Sequence, residues 1–181
     1  MTKVDRNFVL ELGGKPALDV LHELAKNANQ HERQLLEGGL MLGGVINEHK
    51  SHFGRGDFLV RSVLGIDQKR KGIAAGEFYR LGKTVQFHVR DAQTAVEDLQ
   101  LLLDAQQLDE GPFAGLLVTC NGRGRNLFQE EDHDLTIIRN RIGEIPISGF
   151  FAAGEIGPIG GFSFLHGHTA CLTVFRTPKS V

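Results

Sequence analysis

A run of six residues at positions 120–125 combines two glycines with two arginines, directly after an apolar segment. Glycine lets the backbone approach a ligand closely, and arginine presents paired donors that suit a carboxylate or a phosphate. The run, Cys-Asn-Gly-Arg-Gly-Arg, lacks the Lys-Ser/Thr of a Walker A motif, and Leu127 stands where a Rossmann fingerprint has its third glycine. The run therefore predicts an anion-binding loop. The alternative is a tight turn in which one arginine forms an ion pair.

A second glycine-rich segment, residues 149–167, holds six glycines and a single acidic residue, Glu155. His166 and His168 would point to the same side of a strand, because alternate strand residues share a face. With Glu155 they could ligate a metal ion. The favoured interpretation is that His166 orients a loop and His168 is partly exposed, so no metal or other cofactor is expected.

The cysteines raise the question of an enzyme. Cys120, with His166 and Glu155 elsewhere, supplies the parts of a cysteine hydrolase. A cysteine that follows an apolar strand more often packs as a small hydrophobic residue, so we expect no catalytic residues. Arg90 and Asp91 could add a site charge, although Asp91 is equally suited to cap a helix.

Hydrophobic periodicity predicts the elements that would position these segments. The clearest strand is 84–90, and the clearest helix starts at the N-cap Asp91. Strands 58–66, 73–79 and 84–90 are close in sequence, which favours an antiparallel meander. Further strands are predicted at 7–12, 38–46, 113–119, 147–153 and 169–176, and further helices at 16–26, at 29–37 and from Asp132 or Asp134 to Gly143. The sum is a single α+β domain, a mostly antiparallel (mixed) sheet with about three to four helices packed on it.

Length and charge exclude several classes of protein. The 181 residues suit one domain, with 1–6 as a disordered or tag-like segment, 7–177 as the domain and 178–181 as a tail. A net charge of −2 disfavours a nucleic-acid binder. The polar residues at 1–7 predict that there is no secretory signal, and no apolar run approaches ~18 residues. We therefore expect no membrane insertion, a cytoplasmic location and reduced cysteines.

The glycine-rich motifs resemble the C-terminal FIST domain. The resemblance rests on 120–125, on Pro-Ile-Ser-Gly-Phe-Phe-Ala-Ala-Gly-Glu-Ile-Gly-Pro-Ile-Gly-Gly at 146–161, and on Phe-Leu-His-Gly-His-Thr-Ala at 164–170. Further similar segments are 7–18, 58–65 and 85–91. The resemblance implies a non-enzymatic intracellular sensory domain that binds a small ligand, with amino acids as the favoured class. It also implies an N-terminal FIST domain or a signalling protein as partner, so the alternative function is a protein-interaction scaffold.

An amino-acid ligand assigns roles to the residues of both segments. Arg123 or Arg125 would pair with the α-carboxylate, and Glu155 would accept from the α-ammonium. In the alternative, Arg123 and Glu155 pair with each other and hold the two loops together. The complete set of predicted ligand-binding residues is Arg90, Asn121, Gly122, Arg123, Gly124, Arg125, Gly154, Glu155, Gly157, Gly160, Gly161 and His166.

Overall fold

Five helices and twelve strands make up the part of the chain that the computed structural model describes, residues 1–108, 110–159 and 161–178. Because the sheets are mostly antiparallel, the predicted α+β class is confirmed. The elements fall into two compact units, Met1–Arg90 and Asp91–Val181, each with its own core. A single domain over 7–177 stays a prediction. None of the helices in the described residues has the length and apolar character needed to traverse a bilayer.

The first unit is built on a seven-stranded antiparallel sheet in the order β1-β2-β6-β5-β4-β7, with β3 paired to β2. Two helices, α1 and α2, lie between β3 and β4 in the chain. The elements are β1 (Lys3–Asp5), β2 (Phe8–Leu12), β3 (Lys15–Pro16), α1 (Ala17–Asn27), α2 (Gln30–Glu37), β4 (Leu40–Val45), β5 (Phe58–Asp67), β6 (Gly72–Ala75) and β7 (Val85–Val89).

The predicted meander is half right. Strands β5 and β6 form an antiparallel hairpin, but β7 pairs with β4 and not with β6. Residues 41–45 of β4 are all buried, so β4 is a central strand that needs a neighbour on each side. Strand β7 supplies the second neighbour, and Leu42 pairs with Phe87 in the register between them.

The first residues of the chain contact the sheet of the first unit, while the domain limits predicted from the sequence, with 1–6 as a separate segment, stay a prediction. Lys3–Asp5 pairs with β2 as an antiparallel strand. The ammonium group of Met1 donates to the carbonyl oxygen of Lys83 at 2.7 Å. These contacts attach the start of the chain to the sheet.

The second unit contains a three-stranded sheet in the order β12-β8-β9 and a separate hairpin of β10 and β11. Strand β8 is antiparallel to β12 and parallel to β9. The hairpin was not predicted from the sequence, because its glycines interrupt the alternation of apolar and polar residues. The elements are α3 (Ala92–Gln106), β8 (Ala114–Cys120), α4 (Arg125–Phe128), α5 (His133–Ile142), β9 (Ile147–Ala152), β10 (Glu155–Ile159), β11 (Phe162–His166) and β12 (Ala170–Phe175).

Helices α3 and α5 pack together over the core of the second unit. Leu99 and Leu103 of α3 contact Ile138 of α5 in a buried cluster. The predicted helix cap is confirmed, since the Asp91 carboxylate accepts from the Thr94 N–H at 2.9 Å. Leu102 of the same helix is 70% exposed.

Candidate functional site

The loop after β8 lies at the carboxyl ends of two parallel strands. Since β8 and β9 run in parallel, their carboxyl ends meet at one edge of the sheet. The Asn121 N–H donates to the Ala152 carbonyl oxygen at 2.8 Å, and the Cys120 N–H donates to that of Thr169 at 2.9 Å. The two glycine-rich segments predicted from sequence therefore meet here, together with the turn before β12.

Close packing at this edge depends on Gly122. A Cβ on this residue would overlap Nδ1 of the His168 ring and would lie 2.8 Å from its Cε1 atom. Gly124 adopts a φ of 56°, which disfavours any residue with a side chain. A close approach of the 120–125 backbone to a ligand was predicted. In the structure, Gly122 and Gly124 lie close to the side chains of His168 and Phe151.

Arg123 forms a buried ion pair with Asp134. Its Nε and Nη2 atoms donate to the two carboxylate oxygens at 2.8 and 2.7 Å. The Arg123 and Asp134 side chains are only 8% and 6% exposed. This geometry corrects the alternative in which Arg123 pairs with Glu155: the partner comes from the first turn of α5.

Aromatic contacts support the pair. The guanidinium carbon of Arg123 lies 5.1 Å from the centroid of the Phe128 ring. The Phe128 ring stacks on the His133 imidazole with centroids 3.6 Å apart and planes 9° apart. Helices α4 and α5 each contribute one ring, so the short helix α4 helps to hold Arg123 in place.

A cavity of about 240 Å³ opens beside this pair, between the start of α5 and strands β8 and β9. Its walls combine leucine, isoleucine and phenylalanine side chains with a few polar groups. The buried residues Thr119 and Asp134 are two of those polar groups. The lining residues are Leu117, Thr119, Gly124, Asp132, His133, Asp134, Leu135, Ile147, Ser148, Gly149, Phe150 and Phe151.

Glu155 lies in a separate buried cluster on the hairpin. It is 2% exposed, and its Oε2 accepts from the Thr169 hydroxyl at 2.7 Å. Its Oε1 has no hydrogen-bond partner among the described residues. His166 faces Glu155 across the hairpin, and its Nε2–H donates to the Gly157 carbonyl oxygen at 2.9 Å.

The cysteines are not arranged as activated nucleophiles. Cys120 is buried, and its Sγ accepts from the Gly122 N–H at 3.4 Å. Burial raises the pKa of the Cys171 thiol, and the nearby Glu155 charge raises it further. Since a thiolate is the reactive form, a raised pKa makes Cys171 a poorer nucleophile at neutral pH.

Among the residues that the structure describes, the remaining ones predicted to bind a ligand do not form one cluster. Arg125 is exposed and pairs with Glu131. Gly154 precedes β10, and Gly161 takes a φ of 84° in the turn before β11. Arg90 ends the first unit, and Gly160 lies outside the described residues. Of the described members of the predicted set, Gly124 is the one that lines the cavity.

Asp134 and His133 were not among the site residues predicted from the sequence. Asp134 entered only as a candidate helix cap, although it lies four residues before the inward-facing Ile138. A carboxylate on the apolar face of a helix needs a buried partner, and that pattern could have identified it. Within the described residues, no three His, Cys, Asp or Glu side chains are grouped to hold a metal ion.

Comparison with known proteins agrees with the glycine motifs. The sequence model of the FIST C domain matches residues 17–158. The uncharacterized protein Rv0628c of Mycobacterium tuberculosis is 46% identical over 177 residues, and the uncharacterized protein Mb0898c of Mycobacterium bovis is 44% identical over 177 residues. Each alignment covers 97% of this chain but 46% of the relative. The chain therefore spans about half the length of the curated relatives it matches.

Proposed function

Because this chain belongs to the FIST C domain family, which fits a sensory or signalling role, we propose that it binds a small ligand in the cavity beside β8 and β9. The favoured ligand is an amino acid, sensed in the cytoplasm without chemical conversion. The observation that carries the proposal is the cavity itself, which lies along the parallel strands β8 and β9 at the start of α5.

The size and lining of the cavity favour a small metabolite. Its volume of about 240 Å³ is below the ~300–1,000 Å³ typical of sites for drug-sized ligands. Apolar walls with a few convergent polar groups are the usual composition of a ligand site. Thr119, Ser148 and Asp134 are among those groups here.

The roles assigned to the two arginines stay predictions. Both side chains have carboxylate partners within the chain, Asp134 for Arg123 and Glu131 for Arg125. We propose that Arg123 acts mainly by positioning Asp134 at the cavity wall. Glu155 and His166 do not line this cavity, so a direct contact with the same ligand would require the hairpin to move.

A thermal-shift screen with amino acids and small carboxylates tests the proposal. At a hundredfold excess over Kd, a ligand of the native state adds about 2.7 kcal/mol of stability, which raises Tm by roughly 5–10 °C. Ser148→Leu fills the cavity and should abolish the shift. Ser163→Leu, on an exposed position of β11 that does not line the cavity, is the matched control and should keep it.

The second candidate function is a protein-interaction scaffold that packs against an N-terminal FIST domain or a signalling partner. Large apolar side chains on the hairpin favour it: Ile156 is 74% exposed, Phe162 70% and Leu165 64%. Contiguous exposed apolar surface is typical of interaction sites. If neither this chain nor a full-length relative shows a thermal shift with any compound, the scaffold is the better account.

A further inference from the structure

We infer that the cavity between α5 and strands β8 and β9 binds a ligand with a protonated amine on a compact apolar group. In this arrangement the Asp132 carboxylate binds the ammonium group. The inference rests on the proposed function, because it names the ligand chemistry of the same cavity. It follows from the charges at the start of α5 and from the walls that face them.

The walls fix the apolar half of the ligand. Leu117 and Ile147 line the cavity from the sheet, Leu135 from α5, and Phe150 and Phe151 from the exposed strand β9. A branched aliphatic group would bury its methyl groups against these side chains, which is favourable because apolar surface is removed from water. A long or strongly polar side chain would gain less in a space of about 240 Å³.

The charged groups of the cavity have unequal roles. Both oxygens of Asp134 accept hydrogen bonds from Arg123, so this buried pair is neutral as a unit. The other arginine of the loop, Arg125, is engaged with Glu131. Asp132 remains as the lining residue whose negative charge neither arginine neutralises.

The Asp132 carboxylate does not cap the helix that follows it. Asp132 is the N-cap residue of α5, but its side chain makes no cap hydrogen bond. It adopts the left-handed conformation, with a φ of 51°. The carboxylate is thus available to a ligand, and an ammonium group beside it would form a charge-assisted hydrogen bond.

Three compounds of matched carbon skeleton separate the possible ligand chemistries. Leucine carries both charged groups, 3-methylbutylamine lacks the carboxylate, and 4-methylpentanoate lacks the amine. Calorimetric titration of the full chain should detect leucine and 3-methylbutylamine. The acid should bind about tenfold more weakly or worse, because it loses a charge-assisted hydrogen bond and meets the negative charge of Asp132.

The matched variant is Asp132→Asn. Asparagine tolerates the left-handed conformation, so the helix start should be preserved, and the urea-unfolding midpoint checks this. We expect the Kd of 3-methylbutylamine to rise about fivefold, the upper end of what an ion pair at an exposed carboxylate contributes. The control is Glu130→Gln. It removes a carboxylate charge two residues before Asp132, at a position that does not line the cavity, and it should leave the Kd unchanged.

The outcomes separate the inference from the function it rests on. Equal or tighter binding of 4-methylpentanoate, or an unchanged Kd in Asp132→Asn, overturns the inference while ligand binding in the cavity stands. The same holds if none of the three compounds binds but another amino acid in the wider screen does. If no compound of either experiment binds, the inference and the proposed function both fail.

Discussion

The Arg123 side chain is used within the protein and forms an ion pair with Asp134. Its planar fork would suit a ligand carboxylate, yet both of its bonded nitrogen atoms face Asp134 in a pair that is more than nine-tenths buried. Removing one partner of such a pair leaves an uncompensated buried charge. The pair therefore fixes the loop after β8 and sets one wall of the cavity.

Arg123→Ala should lower the free energy of unfolding by about 3–5 kcal/mol, because the Asp134 charge is left buried and unpaired. Chemical denaturation measures the change. The double variant Arg123→Met/Asp134→Leu should recover most of the loss, since it removes both charges. Arg125→Ala is the control in the same loop: its pair with Glu131 is exposed, so the cost should stay within about 1 kcal/mol.

Arg123→Ala also tests whether Arg123 contributes to ligand affinity. Unchanged affinity with a lowered Tm would show that the arginine is structural. A loss of affinity that persists in the double variant, which also lacks the guanidinium but regains stability, would instead favour the direct contact with a carboxylate predicted from the sequence.

Among the elements, the parallel pair β8–β9 decides where the cavity lies. Gly149 pairs with Leu117 in the middle of this register. A Cβ on Gly149 would overlap the Leu117 carbonyl oxygen and lie 2.7 Å from its carbonyl carbon. Backbone atoms of a paired strand cannot move aside without breaking the pairing, so this close approach requires glycine.

Gly149→Ala should destabilise the protein by about 3 kcal/mol, at the upper end of overpacking costs, and should abolish ligand binding in the cavity. Gly65→Ala in β5 is the matched control, because nothing lies within 4 Å of the added Cβ. Thermal unfolding with and without ligand measures both effects. Equal stability of the two variants would contradict the assigned register of β9.

Across the whole molecule, two units with separate cores share a chain that holds one tyrosine and no tryptophan. Tyr79 packs against the core of the first unit, and its hydroxyl donates to the Leu42 carbonyl oxygen at 3.0 Å. Burial raises the pKa of this hydroxyl to about 12, and the charge of Glu77 adds to the shift. One optical signal thus reports on one defined site.

Absorbance of tyrosinate should appear with a midpoint near pH 12 in the native protein and near pH 10 in urea. Because the unfolded chain releases this proton first, the stability contributed by Tyr79 is present below about pH 10 and is lost as pH rises toward about 12. Tyr79→Phe should abolish the absorbance change. A native midpoint near pH 10 would show that Tyr79 is exposed to solvent.

Local sequence determined those features that depend on neighbours in the chain. The alternation over 84–90 predicted β7, and the apolar spacing after the Asp91 cap predicted α3. Glycines at 120–125 and 149–167 marked the segments that meet at the carboxyl edge of the sheet. The near balance of charge disfavoured a nucleic-acid binder, and the glycine motifs indicated the FIST C domain family. Composition and motif identity need no tertiary information.

Tertiary structure alone decided which distant groups meet. It paired β7 with β4 and joined β10 to β11 in a hairpin. It also placed Asp134, eleven residues away in sequence, against Arg123. Periodicity reports which face of an element is apolar, but it does not say which other element covers that face. The partner of a buried charge is selected by the packing of the whole unit, so the cavity and its acidic residue became visible only once the strands and helices were assembled.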